Sequence, residues 1–392
     1  MSGTSLRNRV AIVGVGESDI GKVPGMTGLG LNAQAAKRAL DDAGLKPSDI
    51  DGLLTAYSFT EPYFMLGSVL CEYLGLQPRF NASLVVGGAT PAVMLKHAAE
   101  AIVAGQAEVV LVTAGENRAT GQSRDQAVAA LTAVGHPYFE QPYGSSIPGF
   151  YAMIARRHML EYGTTREQMA EVAATTRRHA LLHPNAHMKA PLTREQVLSA
   201  KPIADPLGML DCCLISDAGG AFIVTSAERA ADLRAKPAYL LGIGEFHTHE
   251  HIMCAPSLTE FGATRSGAAA YRMAGLGPAD VDVAELYDCF TIVPIIEAEE
   301  LGLCPRGEGG RYWLDGRAAI GGGAVPVNTH GGMLSHAHAG AAGGLFGIVE
   351  AVRQLRGGLG ARQVEGAEVA LVHNEGGILS SHCTMLLGKD KA

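Results

Sequence analysis

The sequence predicts an α/β protein built from two similar halves around mixed, mostly parallel sheets. Three internal correspondences predict it. Residues 43–60, AGLKPSDIDGLLTAYSFT, match residues 274–291, AGLGPADVDVAELYDCFT, without a gap. Val10–Glu17 (VAIVGVGE) matches Ala238–Glu245 (AYLLGIGE), and each run ends in Gly-x-Gly-Glu. Ala107–Val112 (AEVVLV) matches Ala367–Val372 (AEVALV). Short, fully apolar runs read as strands buried on both faces, and the Ala-rich stretches between them read as helices, the alternation of a layered α/β fold.

In chain order, each half opens on the Gly-x-Gly strand and passes through a loop and an Ala-rich helix. The AGL-x-P-x-D turn and a second apolar strand follow. A Gly/Ala-rich buried helix is expected over 88–104 before AEVVLV, and another over 340–356 before AEVALV. The halves divide at about 1–235 and 236–392. Within the first, about 118–210 interrupts the pattern with a segment richer in Arg, His, Pro and Gln (SIPGFYAMIARRHMLEYGTTREQM), expected to form a helical cap with loops over a site. Gly14-x-Gly16 opens like a dinucleotide fingerprint, but Asp19 stands where its third glycine belongs, as His247 does after Gly242-x-Gly244. A glycine-tightened strand end accounts for both copies.

A chain of 392 residues, 47% apolar and only 18% charged, has the material for folded cores. Its net charge of −8 speaks against nucleic acid or an anionic membrane as partner. Seven cysteines, an odd number that includes the adjacent Cys212–Cys213, make a poor disulfide framework and point to a reducing cytoplasm. The opening MSGTSLRNRVAIVGVG lacks the apolar run of a signal peptide, and no stretch approaches the roughly 20 apolar residues of a spanning helix. A soluble cytoplasmic protein is expected.

Four stretches resemble the thiolase superfamily, and together they cover nearly the whole chain. NASLVVGGATPA (81–92) lies at the nucleophile loop and its buried helix, and ELYDCFT (285–291) at the Asn-Glu-Ala-Phe or His-Asp-Cys-Phe motif. NTHGGMLSHAHAGAAGG (328–344) matches the Asn-x-Asn-Gly-Gly...Gly-His-Pro loop, and VHNEGG (372–377) the last glycine-rich loop. YDCF and HNEGG look most like the lipid-transfer, sterol-carrier branch. The resemblance implies α-β-α-β-α layering and an acyl-CoA site. Thiolases form an acyl-enzyme on a cysteine, and counting back from AEVVLV places that position at Gly88. Leu84–Thr90 holds no Cys or Ser. Thr90, the nearby hydroxyl, is a poor nucleophile without a dedicated base, and Cys71 reads as a core thiol.

What the resemblance leaves in the pocket is proton chemistry. His338 matches the histidine that activates the thiolase nucleophile, and His373 the position where other thiolases carry an acid/base cysteine. Cys289 matches the acid/base cysteine of the lipid-transfer branch, and Tyr287 replaces the Asn or His that helps bind a thioester oxygen. The thiolase-like steroid side-chain aldolases also lack the nucleophile and carry a Tyr-Asp motif here. They cleave a β-hydroxyacyl-CoA by retro-aldol reaction to a ketone or aldehyde and a shorter acyl-CoA. By that likeness Tyr287, His336, His338, Cys289 and His373 are the candidate catalytic residues. Gly88, Asp288, His330, Gly376 and Gly377 are the candidate substrate-binding ones. Tyr287 would act as base or proton donor, and His338 would help at the oxyanion with backbone N–H groups near Gly376–Gly377. His336 stands where those aldolases carry a second tyrosine and can serve as base or donor; His330 stands where the family usually has Asn.

Strand alternation would put Tyr287 and Cys289 on one side and Asp288, a loop-orienting residue, on the other. His336 and His338 would share a face by the same rule, and with HTHEH (247–251) they raise a metal site. No third ligand stands at a recognisable spacing, so no metal is expected. Cys212–Cys213 read as core, and Arg156, Arg157 and His158 as a solvated face or as contacts for CoA phosphates. The expected function is a CoA-thioester aldolase, with no cofactor beyond the coenzyme A of its substrate. The alternatives are a thiolase-type acyltransferase with an unrecognised nucleophile, and a non-catalytic acyl-CoA or lipid carrier or scaffold subunit. The family likeness adds a homodimer, and a small OB-fold zinc-ribbon protein or a hydratase as partner.

Overall fold

Nine strands form the main sheet of the computed structural model, which describes residues 5–391. They are β1 (Val10–Glu17), β2 (Gly52–Ala56), β3 (Phe80–Leu84), β4 (Val109–Asn117), β5 (Asp217–Ser226), β6 (Ala238–His247), β7 (Val283–Glu285), β8 (Val369–Gly376) and β9 (Ser381–Gly388). The order is β3-β2-β4-β5-β1-β6-β9-β8-β7. Outward from the middle it reads β1-β5-β4-β2 on one side and β6-β9-β8-β7 on the other, so the repeat in the sequence is a repeat of topology. The two sides join where Ala11 pairs with Tyr239 and Ile12 with Ala238.

The sheet is less parallel than the apolar runs suggest. β2–β3, β2–β4 and β7–β8 are parallel. β1–β5, β4–β5, β8–β9, β6–β9 and β1–β6 are antiparallel. Helical crossovers enforce parallel pairing, but β9 returns from β8 through a tight turn at residues 377–380, closed by Ser380 N–H on Gly376 O at 3.1 Å. The runs are apolar because helices cover both faces, whatever the strand direction.

Seven helices matter for the site: α1 (Gly28–Ala43), α2 (Thr90–Val103), α3 (Ile147–Tyr162), α4 (Arg166–Ala180), α5 (Ala263–Ala274), α6 (Val293–Glu300) and α7 (Gly343–Arg356). α2 and α7 lie in the middle, where Val93, Met94, Phe346 and Val349 share one core with Ile12, Val224, Val372 and Met385 from both halves. α1 covers the far face of the first half, and α5 and α6 that of the second. The result is five layers, α-β-α-β-α.

The paired glycines are explained by this packing. A Cβ on Gly14 or Gly16 would collide with the Ala39 or Ala35 carbonyl of α1, and one on Gly242 or Gly244 with the Ala270 or Ser266 carbonyl of α5. These glycines bring a helix down onto a strand, which is why no phosphate fingerprint completes them. Both helices end in a left-handed glycine, Gly44 (φ 71) and Gly275 (φ 69). Residues 118–210 contain α3, α4 and the shorter helices Arg124–Thr132 and Arg194–Leu198. α3 buries Phe150, Tyr151 and Ile154 against residues of the second half. Among the described residues, no helix is long and apolar enough to cross a membrane.

Candidate active site

The floor of the site is backbone. Loop 84–90 packs onto the turn after β8 so closely that a Cβ on Gly376 would meet Gly88 N at 3.1 Å, and one on Gly87 (φ 56) would meet Gly377 N at 2.7 Å. Gly88, Gly376 and Gly377 therefore come together as expected from their motifs. A Cβ on Gly88 would collide with the Oη and Cζ of Tyr287 and with the backbone carbonyl oxygen of Glu375 at 2.5 Å. The volume that a side chain at residue 88 needs is filled by a phenol and a backbone carbonyl. Thr90 is committed to its helix start: its Oγ1 donates to Gly87 O at 2.6 Å and accepts from Val86 N–H at 2.9 Å.

β7 stops at Glu285 because the next N–H groups leave the ladder. Leu286 N–H donates to Asn328 Oδ1 at 2.7 Å and Tyr287 N–H to Glu297 Oε2 at 2.9 Å. Tyr287–Cys289 thus lie just past the strand rather than on its end, yet their side chains still alternate. Asp288 Oδ1 accepts Met333 N–H at 2.6 Å and holds the following loop. Tyr287 and Cys289 face a group made with Cys213 and Glu375. Burial, with Cys289 and Glu375 alongside, lifts the Tyr287 hydroxyl well above the usual tyrosine range. Burial and Glu375 do the same to the Cys289 thiol, so both are neutral proton carriers at pH 7.

Glu375 closes this group. Its Oε1 accepts Tyr151 Oη–H at 2.5 Å and Cys289 S–H at 3.3 Å, while Oε2 accepts Leu379 N–H at 3.1 Å. Burial raises its carboxyl to about 7, with these donors opposing the rise. Tyr151 also stacks on Phe290 with ring centroids 4.5 Å apart.

His338 is half-buried on the other wall. Its Nδ1 lies 3.2 Å from Cys213 Sγ and 3.3 Å from Leu214 O. A carbonyl only accepts, so Nδ1 carries the proton and Nε2 keeps a lone pair. Burial and the Arg118 charge pull His338 down to about 4, leaving it neutral near pH 7. This tautomer suits a base rather than an oxyanion donor.

The structure does not bring His336 or His373 into the group. Gly332–His336 winds as a π-helical turn and Ala337 is extended, so His336 and His338 diverge. His336 Nε2 sits 3.1 Å from Glu17 Oε1, with its ring against His183. Glu17, His183 and His336 form a three-ligand grouping, but its donors do not suit a cation. Arg353 stands 3.1 Å from Glu17 Oε2, and Asn185 N–H donates to His183 Nδ1, leaving the proton on the Nε2 that would have to ligate. His373 is held by Thr384 Oγ1 at 2.7 Å and His382 Nδ1 at 3.2 Å. Glu375, on the same face of β8, is the residue that reaches Cys289. His330 Nδ1 pairs with Glu285 at 2.8 Å behind Tyr287, where His330, Asp288 and Asn374 line a small cavity.

Cys213, read from sequence as core, is instead a wall of the site. Arg118, Tyr151 and Glu375 also join it, and of these Glu375 alone lay inside a recognised motif, VHNEGG. Arg156 pairs with Asp205 and Arg157 with Glu161 on an outer face, whereas His158 is buried between Thr164 and Glu299. In HTHEH, His247 pairs with Glu245 and His249 with Thr248.

Residues 244–389 match the family described as Thiolase C-terminal domain-like. The chain is 35% identical to an acetyl-CoA acetyltransferase of Methanothermobacter thermautotrophicus, over 94% of this chain and 96% of that one. It is also 35% identical to the 17-hydroxy-3-oxo-4-pregnene-20-carboxyl-CoA lyase of Mycobacterium tuberculosis, over 96% and 98%. The solved Ltp2-ChsH2(DUF35) aldolase superposes with a TM-score of 0.85 at 34% identity, covering 98% of each chain. Identity does not choose between acyltransferase and lyase.

Proposed function

The chain belongs to the thiolase superfamily, and from that premise we propose that it is a CoA-thioester aldolase, cleaving a β-hydroxyacyl-CoA by retro-aldol reaction. One observation carries the choice over acyl transfer: the Tyr287 hydroxyl fills the space that a nucleophile at residue 88 would occupy. The lyase and aldolase relatives support the same reading and point to a steroid CoA ester as substrate.

The residues divide the work as follows. His338 Nε2 takes the β-hydroxyl proton. The Cα–Cβ bond breaks, its electron pair passes into the thioester enolate, and the ketone or aldehyde is released. The Tyr287 phenol donates to the charge developing on the thioester oxygen, where a buried donor acts without reorganisation. Cys289 S–H delivers a proton to Cα and completes the shorter acyl-CoA.

A protein of the kind named with the aldolase neighbour, ChsH2(DUF35), is the proposed partner, and a second copy of the chain another. β3 ends the sheet, and the exposed Val85 follows it directly, an edge that a second copy would cover. All seven cysteines are free, which suits a reducing cytoplasm.

The test incubates the chain, with and without a DUF35 protein, with 17-hydroxy-3-oxo-4-pregnene-20-carboxyl-CoA and a set of other β-hydroxyacyl-CoAs. Release of a ketone or aldehyde together with a shorter acyl-CoA is the expected result. A stable acyl adduct by intact mass would show covalent transfer instead, and tight binding without cleavage would show a carrier.

A further inference from the structure

When Cys289 gives up its proton, a thiolate is left in a buried place, where an uncompensated charge is strongly disfavoured. Its neighbour in the required direction is Glu375, whose Oε1 is 3.3 Å from Sγ. The groups facing that carboxyl come from three elements: Tyr151 from α3, Cys289 and Tyr287 from the segment after β7, and Glu297 from α6. All four are acids, so a proton rather than a counter-ion must neutralise the charge.

We propose that Glu375 is the proton-relay partner of Cys289: its carboxylic acid returns a proton to the Cys289 thiolate after the thiol has protonated the enolate carbon, and Tyr151 fixes the carboxyl for that transfer. The identity of the protonated carbon rests on the aldolase reading; the coupling of Glu375 to Cys289 does not. Sγ–H breaks as Cα–H forms, and the Glu375 O–H breaks as Sγ–H re-forms. The Glu375 carboxylate then takes a proton from water while His338 releases to water the one it took from the hydroxyl. Protons balance over the cycle. Glu375 is a positioning residue in this scheme, acting on substrate only through Cys289. A carboxyl raised to about 7 by burial populates both forms near neutrality, as a relay requires.

Two readouts test the proposal on the full chain with its partner protein. The first needs no substrate: the pH dependence of iodoacetamide alkylation at Cys289, located by peptide mass spectrometry. Glu375→Gln removes the neighbouring charge that raises the thiol, so the Cys289 midpoint should fall. The second is kcat against pH. In the native chain activity should decline as pH rises through about 7, where Glu375 loses the proton it must donate. Glu375→Gln should lack that limb, with kcat down about 100-fold and KM within a few-fold. Tyr151→Phe, which keeps the ring and removes one donor to the carboxylate, should move the limb to higher pH and keeps the test alive if Glu375→Gln folds poorly. An unchanged Cys289 midpoint, or an unchanged limb in either variant, overturns the relay. A shifted midpoint in a chain that cleaves no β-hydroxyacyl-CoA supports the coupling and refutes the aldolase reading, so the two failures separate.

Discussion

Residues 43–54 and 274–285 fold alike down to single hydrogen bonds, while residues 55–60 and 286–291 go separate ways. In both copies a left-handed glycine ends the helix and a Pro-x-Asp turn follows, with Asp49 accepting Lys46 N–H and Asp280 accepting Gly277 N–H at 2.8 Å. In both, an aspartate then clamps the start of a neighbouring strand: Asp51 takes Val109 N–H at 2.8 Å and Asp282 takes Val369 N–H at 2.9 Å. Past that point Ala56 is matched by Tyr287 and Ser58 by Cys289. Phe59 is 49% exposed, whereas its counterpart Phe290 is 4% exposed and stacked under Tyr151. The duplicated positions are those that set backbone geometry. The side chains to which we assign proton chemistry in the second copy, Tyr287 and Cys289, have only Ala56 and Ser58 as counterparts in the first, and the Tyr287 ring stands against Gly88 of the first half.

This asymmetry can be broken from either side, and Tyr287→Phe should do the most damage. Turnover of the steroid CoA ester should fall about 100- to 1,000-fold at near-constant KM and thermal midpoint, the range for losing a positioned proton donor. Gly88→Cys should cost about 3 kcal/mol in denaturant unfolding, the upper range for an overpacked site, and yield no acyl adduct. Adding Tyr287→Ala to the same chain should recover part of that stability, the remainder being the clash with the Glu375 carbonyl oxygen 2.5 Å from a Cβ at residue 88; no recovery would mean that the two residues do not compete for one volume.

The symmetric part of the comparison is tested by a matched pair. Gly14→Ala and Gly242→Ala each push a methyl group into a helix carbonyl, so each should lose about 2 kcal/mol, and the double variant about the sum. A tolerated member of the pair would show that the halves are packed differently. The smallest effect concerns acid. In the proposed mechanism His338 works neutral, so activity should be present above its pKa and lost as pH falls through about 4. Arg118→Gln removes a charge that lowers this value, and the acid limb of kcat/KM should move up toward the ordinary histidine range of about 6.5.

The two-half architecture is legible in the sequence because Gly14, Gly16, Gly44 and Asp51 recur in register as Gly242, Gly244, Gly275 and Asp282, and each has a backbone job. The empty position at Gly88 and the pairing of Tyr287 with Cys289 are legible because they sit inside contiguous motifs. Strand direction is not, since burial on both faces gives the same apolar run either way. His336 is misleading because the two-residue spacing to His338 spans a π-helical turn, where alternation does not hold. Cys213, Tyr151 and Arg118 come from separate segments and meet the motifs only through tertiary packing, with no local pattern to announce them. Glu375 lies in plain sight in VHNEGG, but the resemblance draws attention to His373, two residues earlier on the same face.

The collision between a side chain at residue 88 and the Tyr287 ring also bears on how such a pocket can change its chemistry. A side chain at residue 88 and the phenol at 287 each destabilise the chain while the other is present. Any route between acyl transfer and the proposed retro-aldol cleavage on this scaffold is therefore smoothest through a chain that has neither group, a small residue standing at both 88 and 287.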